Sequence, residues 1–416
     1  MFSVEGFLLL VSATLFLSYI SSLFYTKTRI PDIVWLLSFG YLLGPVLNFF
    51  DKEIFITIFP MLILVTVSIF SFDTGINVDI SGMMKTVIKV LILTFATFVT
   101  ITAGIGLVLN LFMPELFTLE EGMLLGAMVG GLGGISVTGI LNRLKTLIPT
   151  IEKDGVILNL ESTLSDPIRI VACFALINMI TSEVTLQVGI KDIVFIFTIS
   201  AVLGIVYGLI WSEVLHLLSN RPFNYMMTIA ALFPVYIASE TYVGQGGGAI
   251  TALAFGLAIT NHDRVSKFFG SKRKVKVNKA RIREFNQEIT FLIKAFFFVY
   301  LGLIVSLSVN YALIGLGVVL LMLVIRYVTA TGVAFALRFT DGERILSRLI
   351  YLQGASALVL SRWPALYDPE HLFFRNPNIY TDLCYPIVLF TIVLVSIMGP
   401  VMARRQMLRA SIKQHL

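Results

Sequence analysis

Stretches of roughly 20 predominantly apolar residues, each long enough to cross the hydrocarbon core of a bilayer, recur along the whole chain. They can be placed near 4–25, 30–50, 54–72, 86–113, 119–141, 155–180, 190–218, 225–240, 244–260, 289–308, 311–338, 344–363 and 382–403. Peptide groups in hydrocarbon must find their partners within the protein, so such a chain folds as an all-α polytopic membrane protein, here with about thirteen transmembrane helices. Composition agrees. Charged residues are 13% and hydrophobic residues 57%, against about 25% charged in soluble domains. Within 225–260 the run GQGGG, Gly244–Gly248, permits either a tight turn or a break. The first apolar segment lacks a basic flank and a small-residue cleavage site, so it is expected to stay as a membrane helix.

The net charge of +6 does not point to nucleic acid, because the basic residues sit in short connections between spans. Loops after odd-numbered spans hold most of the Lys and Arg, among them Lys27, Arg143, Lys145 and Arg338, as does the C-terminal tail with Arg404. Loops after even-numbered spans hold only Lys52, Lys191, Arg362 and Arg375. The positive-inside rule then puts the N-terminus outside and the C-terminus in the cytoplasm. Residues 261–287, with nine Lys or Arg, read as the one long hydrophilic loop. It serves as a topology anchor between two halves or as an anionic-lipid contact, and the anchor is the favoured reading. Cys173 and Cys384 lie in apolar surroundings and read as packing residues. No cofactor motif, Walker pattern or catalytic pair is placed for an enzyme.

The sixth span is the exception to apolarity. Gly155–Cys173 carries Glu161, Asp166 and Arg169, and charges at membrane depth are costly unless they face a partner or a polar cavity. Glu161 and Asp166, five positions apart, are about 140° apart around a helix and face different neighbours. Pro167 removes an amide donor beside Asp166. The eleventh span carries Arg326 mid-helix, and a buried arginine needs a carboxylate. We assign it to Glu161, because pairing it with Asp166 would set it against a bound cation. Asp166 is then the acid available for a transported ion. Arg169, three residues on, could tune Asp166 or reach the interface. Lys294, six residues into its expected span, is expected to snorkel. Asp73, closing the third span, could supply a further oxygen or line an entry.

Two spans look interrupted: Gly126–Gly139 in the fifth, with Ser136 and Thr138, and Leu352–Ser361 in the twelfth, with Gln353. Unwound backbone at membrane depth is tolerated where it lines a cavity, and a matched pair of glycine-interrupted spans marks a transporter's ion site. Their ranks correspond if 1–180 and 225–403 are inverted repeats of six helices joined by a helix at 190–218. Close helix packing of the GxxxG kind is the alternative reading of each.

Together these residues resemble the NhaP-type branch of the monovalent cation:proton antiporters. Its sixth span carries an acid-Ser-x-x-Asn-Asp-Pro signature, read here as Glu161-Ser162-Thr163-Leu164-Ser165-Asp166-Pro167. Its fifth-span Ser/Thr-Asp element is matched by Ser136-Val137-Thr138-Gly139, and Phe296–Leu303 with Arg326 looks like its tenth and eleventh spans. The resemblance implies thirteen helices with unwound crossings, a six-helix core that moves against a dimerisation domain, and a homodimer in the cell membrane. It implies Asp166 as the shared carrier of cation and proton, Thr138 as a backbone ligand, Ser162 as a hydroxyl ligand, Asp73 as an accessory acid, and Glu161–Arg326 as a structural pair. Ser165 and Gly139 depart from the usual Asn and Asp.

The expected activity is exchange of Na⁺ or Li⁺ for H⁺, electroneutral because Ser165 adds no second acid. K⁺/H⁺ exchange and sodium-coupled uptake of an organic solute are the competing readings. The transported ions stand in place of any cofactor.

Overall fold

The computed structural model describes residues 4–28, 32–47, 52–78, 84–147, 151–182, 186–219, 221, 223–268, 277–305 and 308–414. Residues 269–276 of the basic segment and the side chain of Lys52 lie outside the described residues. The described residues form helices joined by turns and short unwound stretches. In order the elements are α1 (Val4–Thr28), α2 (Asp32–Tyr41) with a π-helical turn (Leu42–Val46), α3 (Lys52–Asn77), α4 (Met84–Phe112), α5 (Leu119–Val129) and α6 (Gly134–Leu147). There follow α7 (Ile151–Ser182), α8 (Leu186–Leu217), α9 (Asn224–Tyr242), α10 (Gly247–Thr260), α11 (His262–Phe268) and α12 (Lys279–Ile304). The chain ends with α13 (Val309–Ala336), α14 (Asp341–Leu349), α15 (Ala355–Leu360), α16 (Trp363–Tyr367) and α17 (Ile379–Gln414).

Each expected span falls on one of these helices or on an interrupted pair. Among the described residues seven helices are long and apolar enough to cross a membrane: α1, α4, α7, α8, α12, α13 and α17. Shorter apolar helices cover Asp32–Val46, Met61–Asn77 and Gly247–Thr260. The remaining expected spans are α9 and the interrupted pairs α5–α6 and α14–α15.

The chain divides into two compact units. Unit 1 comprises Met1–Thr57, Lys85–Arg169 and Phe298–Leu416, and unit 2 comprises Ile58–Met84 and Ile170–Phe297. In unit 2, α8 packs closely along α10 because Gly204 and Gly208 face the backbone of Thr251 and Phe255. The GQGGG run is a turn: Gly244 and Gly246 take positive φ, and Glu240 at the end of α9 accepts the backbone N–H groups of Gly246 and Gly248 at 2.9 Å each. That carboxylate satisfies donors that the start of α10 would otherwise leave open.

The structure corrects two expectations in this unit. The basic segment is not one loop, because α11 and the first turns of α12 take up most of its described part. Arg283 donates to the Ile76 carbonyl at the end of α3 (2.9 Å), and Arg281 lies over the ring of Tyr225. Because α12 starts at Lys279 rather than near 289, Lys294 falls mid-helix and is buried instead of snorkelling.

Candidate functional site

The site in unit 1 begins with the glycine run. Thr118 caps α5 through a reciprocal capping box with Glu121, but the helix ends at Val129. Consecutive glycines lose most backbone entropy in a helix, and residues 130–133 stay unwound before α6 restarts at Gly134. The second interruption matches it. After α14 ends at Leu349, Ile350–Gly354 runs extended to the start of α15.

The two unwound stretches satisfy each other's backbone, as membrane depth demands. The amide of Gly133 donates to the Leu352 carbonyl at 2.8 Å, and the Ser136 hydroxyl donates to the Gln353 carbonyl at 3.0 Å. The Gln353 side-chain amide donates to the Val129 carbonyl at 2.7 Å, joined there by the Tyr351 hydroxyl at 3.2 Å. The Cα atoms of Gly133 and Gly354 meet where no side chain fits: a β carbon on Gly133 would lie 2.6 Å from the Gly354 nitrogen and 2.9 Å from the Gln353 carbonyl carbon. Backbone cannot yield as a flexible side chain does. Gly133→Ala is therefore expected to cost about 1–3 kcal/mol and to lower the thermal unfolding temperature in detergent. Gly317→Ala, inside α13 with nothing within 4 Å of the added carbon, should leave that temperature unchanged or slightly raised, since alanine suits a helix better than glycine.

Helix α7 runs beside this crossing. Ser165 is buried, and its hydroxyl bridges the backbone N–H and C=O of Leu132 at 3.2 Å each, stapling the first unwound stretch to α7. Ser162 is also buried; its hydroxyl donates to the Asn159 carbonyl at 2.9 Å and faces Gly134. Glu161 and Arg326 form a bidentate pair, with Nη1 donating to Oε1 and Nη2 to Oε2 at 2.7 Å. Arg326 further donates through Nε to the Ser347 carbonyl (2.6 Å) and through Nη1 to Thr97 Oγ1 (3.0 Å), and it lies over the ring of Tyr351. Both members are buried, with side-chain exposures of 0% and 2%.

Asp166 differs. Its side chain is 25% exposed, and its Oδ1 accepts both from Arg169 Nη2 and from the Ser356 hydroxyl, the latter at 2.7 Å. Arg169 does not reach an interface: it turns back along α7, wholly buried, and pairs with the acid three residues before it. Pro167 lies inside a helix that continues through it.

The interruption falls inside the expected Gly126–Gly139, at 130–133, about six residues ahead of the Ser136–Gly139 match. Thr138 sits within α6, its exposed side chain donating to the Gly134 carbonyl at 3.0 Å, and Gly139 faces the Tyr25 hydroxyl. Asp73 and Lys294 belong to unit 2. There Asp73, one turn from the end of α3, accepts from Asn286 Nδ2 at 2.6 Å, with the charge of Lys294 within electrostatic reach. The sequence reading missed Ser356 as a partner of Asp166, and it missed Glu240. Glu240, an acid inside an apolar stretch, carried the same signal that singled out Glu161. Ser356 carried only its place in the glycine-interrupted Leu352–Ser361 stretch, which does not single it out because serines are common in packed membrane helices.

A family profile described as "Sodium/hydrogen exchanger, transmembrane" matches residues 12–405. Among solved structures, the chain is similar to the sodium proton antiporter MjNhaP1 from Methanocaldococcus jannaschii at pH 8, with a TM-score of 0.77 at 17% identity over 94% of this chain and 96% of that one. An electron-microscopy structure of the same antiporter matches with a TM-score of 0.73 at 18% identity, covering 98% of each chain. At these identities the likeness shows a shared fold. No match is found among curated proteins.

Proposed function

Because the chain belongs to the transmembrane sodium/hydrogen exchanger family, and is thus a multi-pass membrane antiporter of cations and protons, we propose that Asp166 carries Na⁺ or Li⁺ one way and H⁺ the other. The observation that carries this reading is the contrast between the two acids of α7. Glu161 has both oxygens held by Arg326 and 2% side-chain exposure; Asp166 has its contacts on Oδ1 and 25% exposure. An acid that must exchange partners every cycle needs a free oxygen and a route to it.

Na⁺ takes hard oxygen ligands, and the Asp166 carboxylate, the Ser356 and Ser162 hydroxyls and nearby carbonyls are of that kind. Thr138 is assigned as a further ligand, and Asp73 as an accessory acid, on the strength of the family resemblance alone. Partial dehydration lets proton and cation compete for one carboxylate. Each replaces the other one for one, Ser165 adds no second acid, and the exchange is electroneutral. Alternating exposure comes from movement of a six-helix core, which holds the crossed unwound stretches, against a dimerisation domain. The assembly is a homodimer in the cell membrane, with the N-terminus outside and the C-terminus in the cytoplasm.

The test is dissipation of a pH gradient in proteoliposomes on adding Na⁺, Li⁺ or K⁺, with the membrane potential clamped at zero or at −100 mV (about 2.3 kcal/mol per charge moved). The expected result is proton movement driven by Na⁺ and Li⁺ at a rate that ignores the potential. A response to K⁺ alone would make the protein a K⁺/H⁺ exchanger. A rate that follows the potential would overturn electroneutrality. Na⁺ uptake with no proton movement would favour a solute symporter.

A further inference from the structure

Two arginines lie wholly buried in unit 1, and their surroundings differ in kind. Arg326 is held as a structural arginine should be: two-pronged on Glu161, with its Nε on the Ser347 carbonyl and a further bond to Thr97. Arg169 is held loosely. Its Nη2 contacts Asp166 Oδ1 and, at 2.5 Å, the Ser356 hydroxyl. Its Nη1 reaches the Met128 carbonyl and Gln353 Oε1 only at 3.4 Å each, well beyond the usual N–H···O distance of about 2.9–3.0 Å. Its Nε has no hydrogen-bond partner and lies against Gly131, where a β carbon would come within 2.7 Å of it.

We propose that Arg169 is a tethered competitor for the transported cation: it occupies Asp166 when the site is empty, and a cation must displace it in order to bind. This rests on the reading of Asp166 as the carrier. A buried guanidinium needs a negative partner, and among the described residues Asp166 is the carboxylate that Arg169 contacts. A cation at Asp166 repels that guanidinium and takes its partner. The displaced group keeps two acceptors, the Met128 carbonyl in the last turn of α5, just before the first unwound stretch, and Gln353 Oε1 on the second. Arg169 thereby sets a lower cation affinity than the oxygen ligands alone would give, and it ties the loading of Asp166 to the crossing. It is a positioning and specificity-determining residue, acting through the carboxylate.

The experiment measures the Na⁺ dependence of pH-gradient dissipation in proteoliposomes for wild type, Arg169→Gln, Arg169→Lys and Asp166→Asn, each checked for monodispersity in detergent. A neighbouring positive charge shifts the preference of a carboxylate for a bound positive ion by roughly 10–1000-fold, so Arg169→Gln, assayed at alkaline pH where protons do not compete for Asp166, is expected to lower the KM for Na⁺ at least about tenfold. Arg169→Lys keeps the charge but not the fork and should fall between Arg169→Gln and wild type. Packing damage raises KM or lowers kcat; it does not tighten binding. An unchanged or raised KM in Arg169→Gln, with Asp166→Asn inactive, overturns the competitor and leaves the carrier standing. Activity in Asp166→Asn overturns the carrier itself. If Arg169→Gln does not purify folded, Arg169→Lys decides: a KM below wild type supports the proposal, and one equal or higher rejects it.

Discussion

Asp166→Asn is expected to abolish cation-driven proton movement in proteoliposomes at every Na⁺ concentration. The amide keeps an Oδ1 that can accept from Arg169 and Ser356, so the local geometry has a ready substitute. It carries no charge to balance a cation and takes up no proton at working pH, so neither half of the exchange has a carrier. The change also leaves Arg169 without a carboxylate. The bond that remains has a neutral acceptor, and a charge-assisted hydrogen bond is roughly twice as strong as a neutral one, so the variant should purify folded but melt earlier than wild type. Transport by a folded Asp166→Asn protein would remove Asp166 from the mechanism.

Glu161→Ala is expected to damage stability rather than chemistry. It strips a wholly buried arginine of both carboxylate contacts and leaves it the Ser347 carbonyl, Thr97 and the Tyr351 ring. Breaking a buried pair from one side costs about 3–5 kcal/mol, whereas replacing both members with apolar residues of similar size is often neutral. Thermal unfolding in detergent should therefore show a large loss for Glu161→Ala and near-complete recovery in the double variant Glu161→Met with Arg326→Met. If Asp166 is the carrier, as proposed, the recovered protein should still transport, because the pair then only holds α7 to α13. A double variant as unstable as the single one would show that the pair does more than neutralise itself.

Glu161–Arg326 was legible in the chain because each member is intolerable alone at membrane depth and each needs the opposite sign. The glycine interruptions were legible too, since consecutive glycines weaken a helix wherever it lies. Their placement was less so. The fifth-span break falls at 130–133, ahead of Ser136–Gly139, because backbone pairing with Leu352 and the Ser165 hydroxyl holds open that turn and not the next. The beginning of α12 was misplaced because hydropathy marks where a helix enters lipid, while the helix itself continues through polar residues back to Lys279.

By itself the sequence determined that this chain lives in a bilayer as helices, that two of those helices break, and that α7 carries two acids at membrane depth that each need a partner. These follow from local terms: the cost of unpaired peptide groups and charges in hydrocarbon, and the entropy of glycine. The tertiary structure alone decided what each charge contacts. Arg169 could have run out to an interface or folded back on Asp166, and its position three residues away allows both. The choice rests on Ser356, 187 positions further along the chain, and on Gln353 and the Met128 carbonyl beside it. Such partners are fixed by how helices cross, and no pattern along one helix records which residue of another will face it.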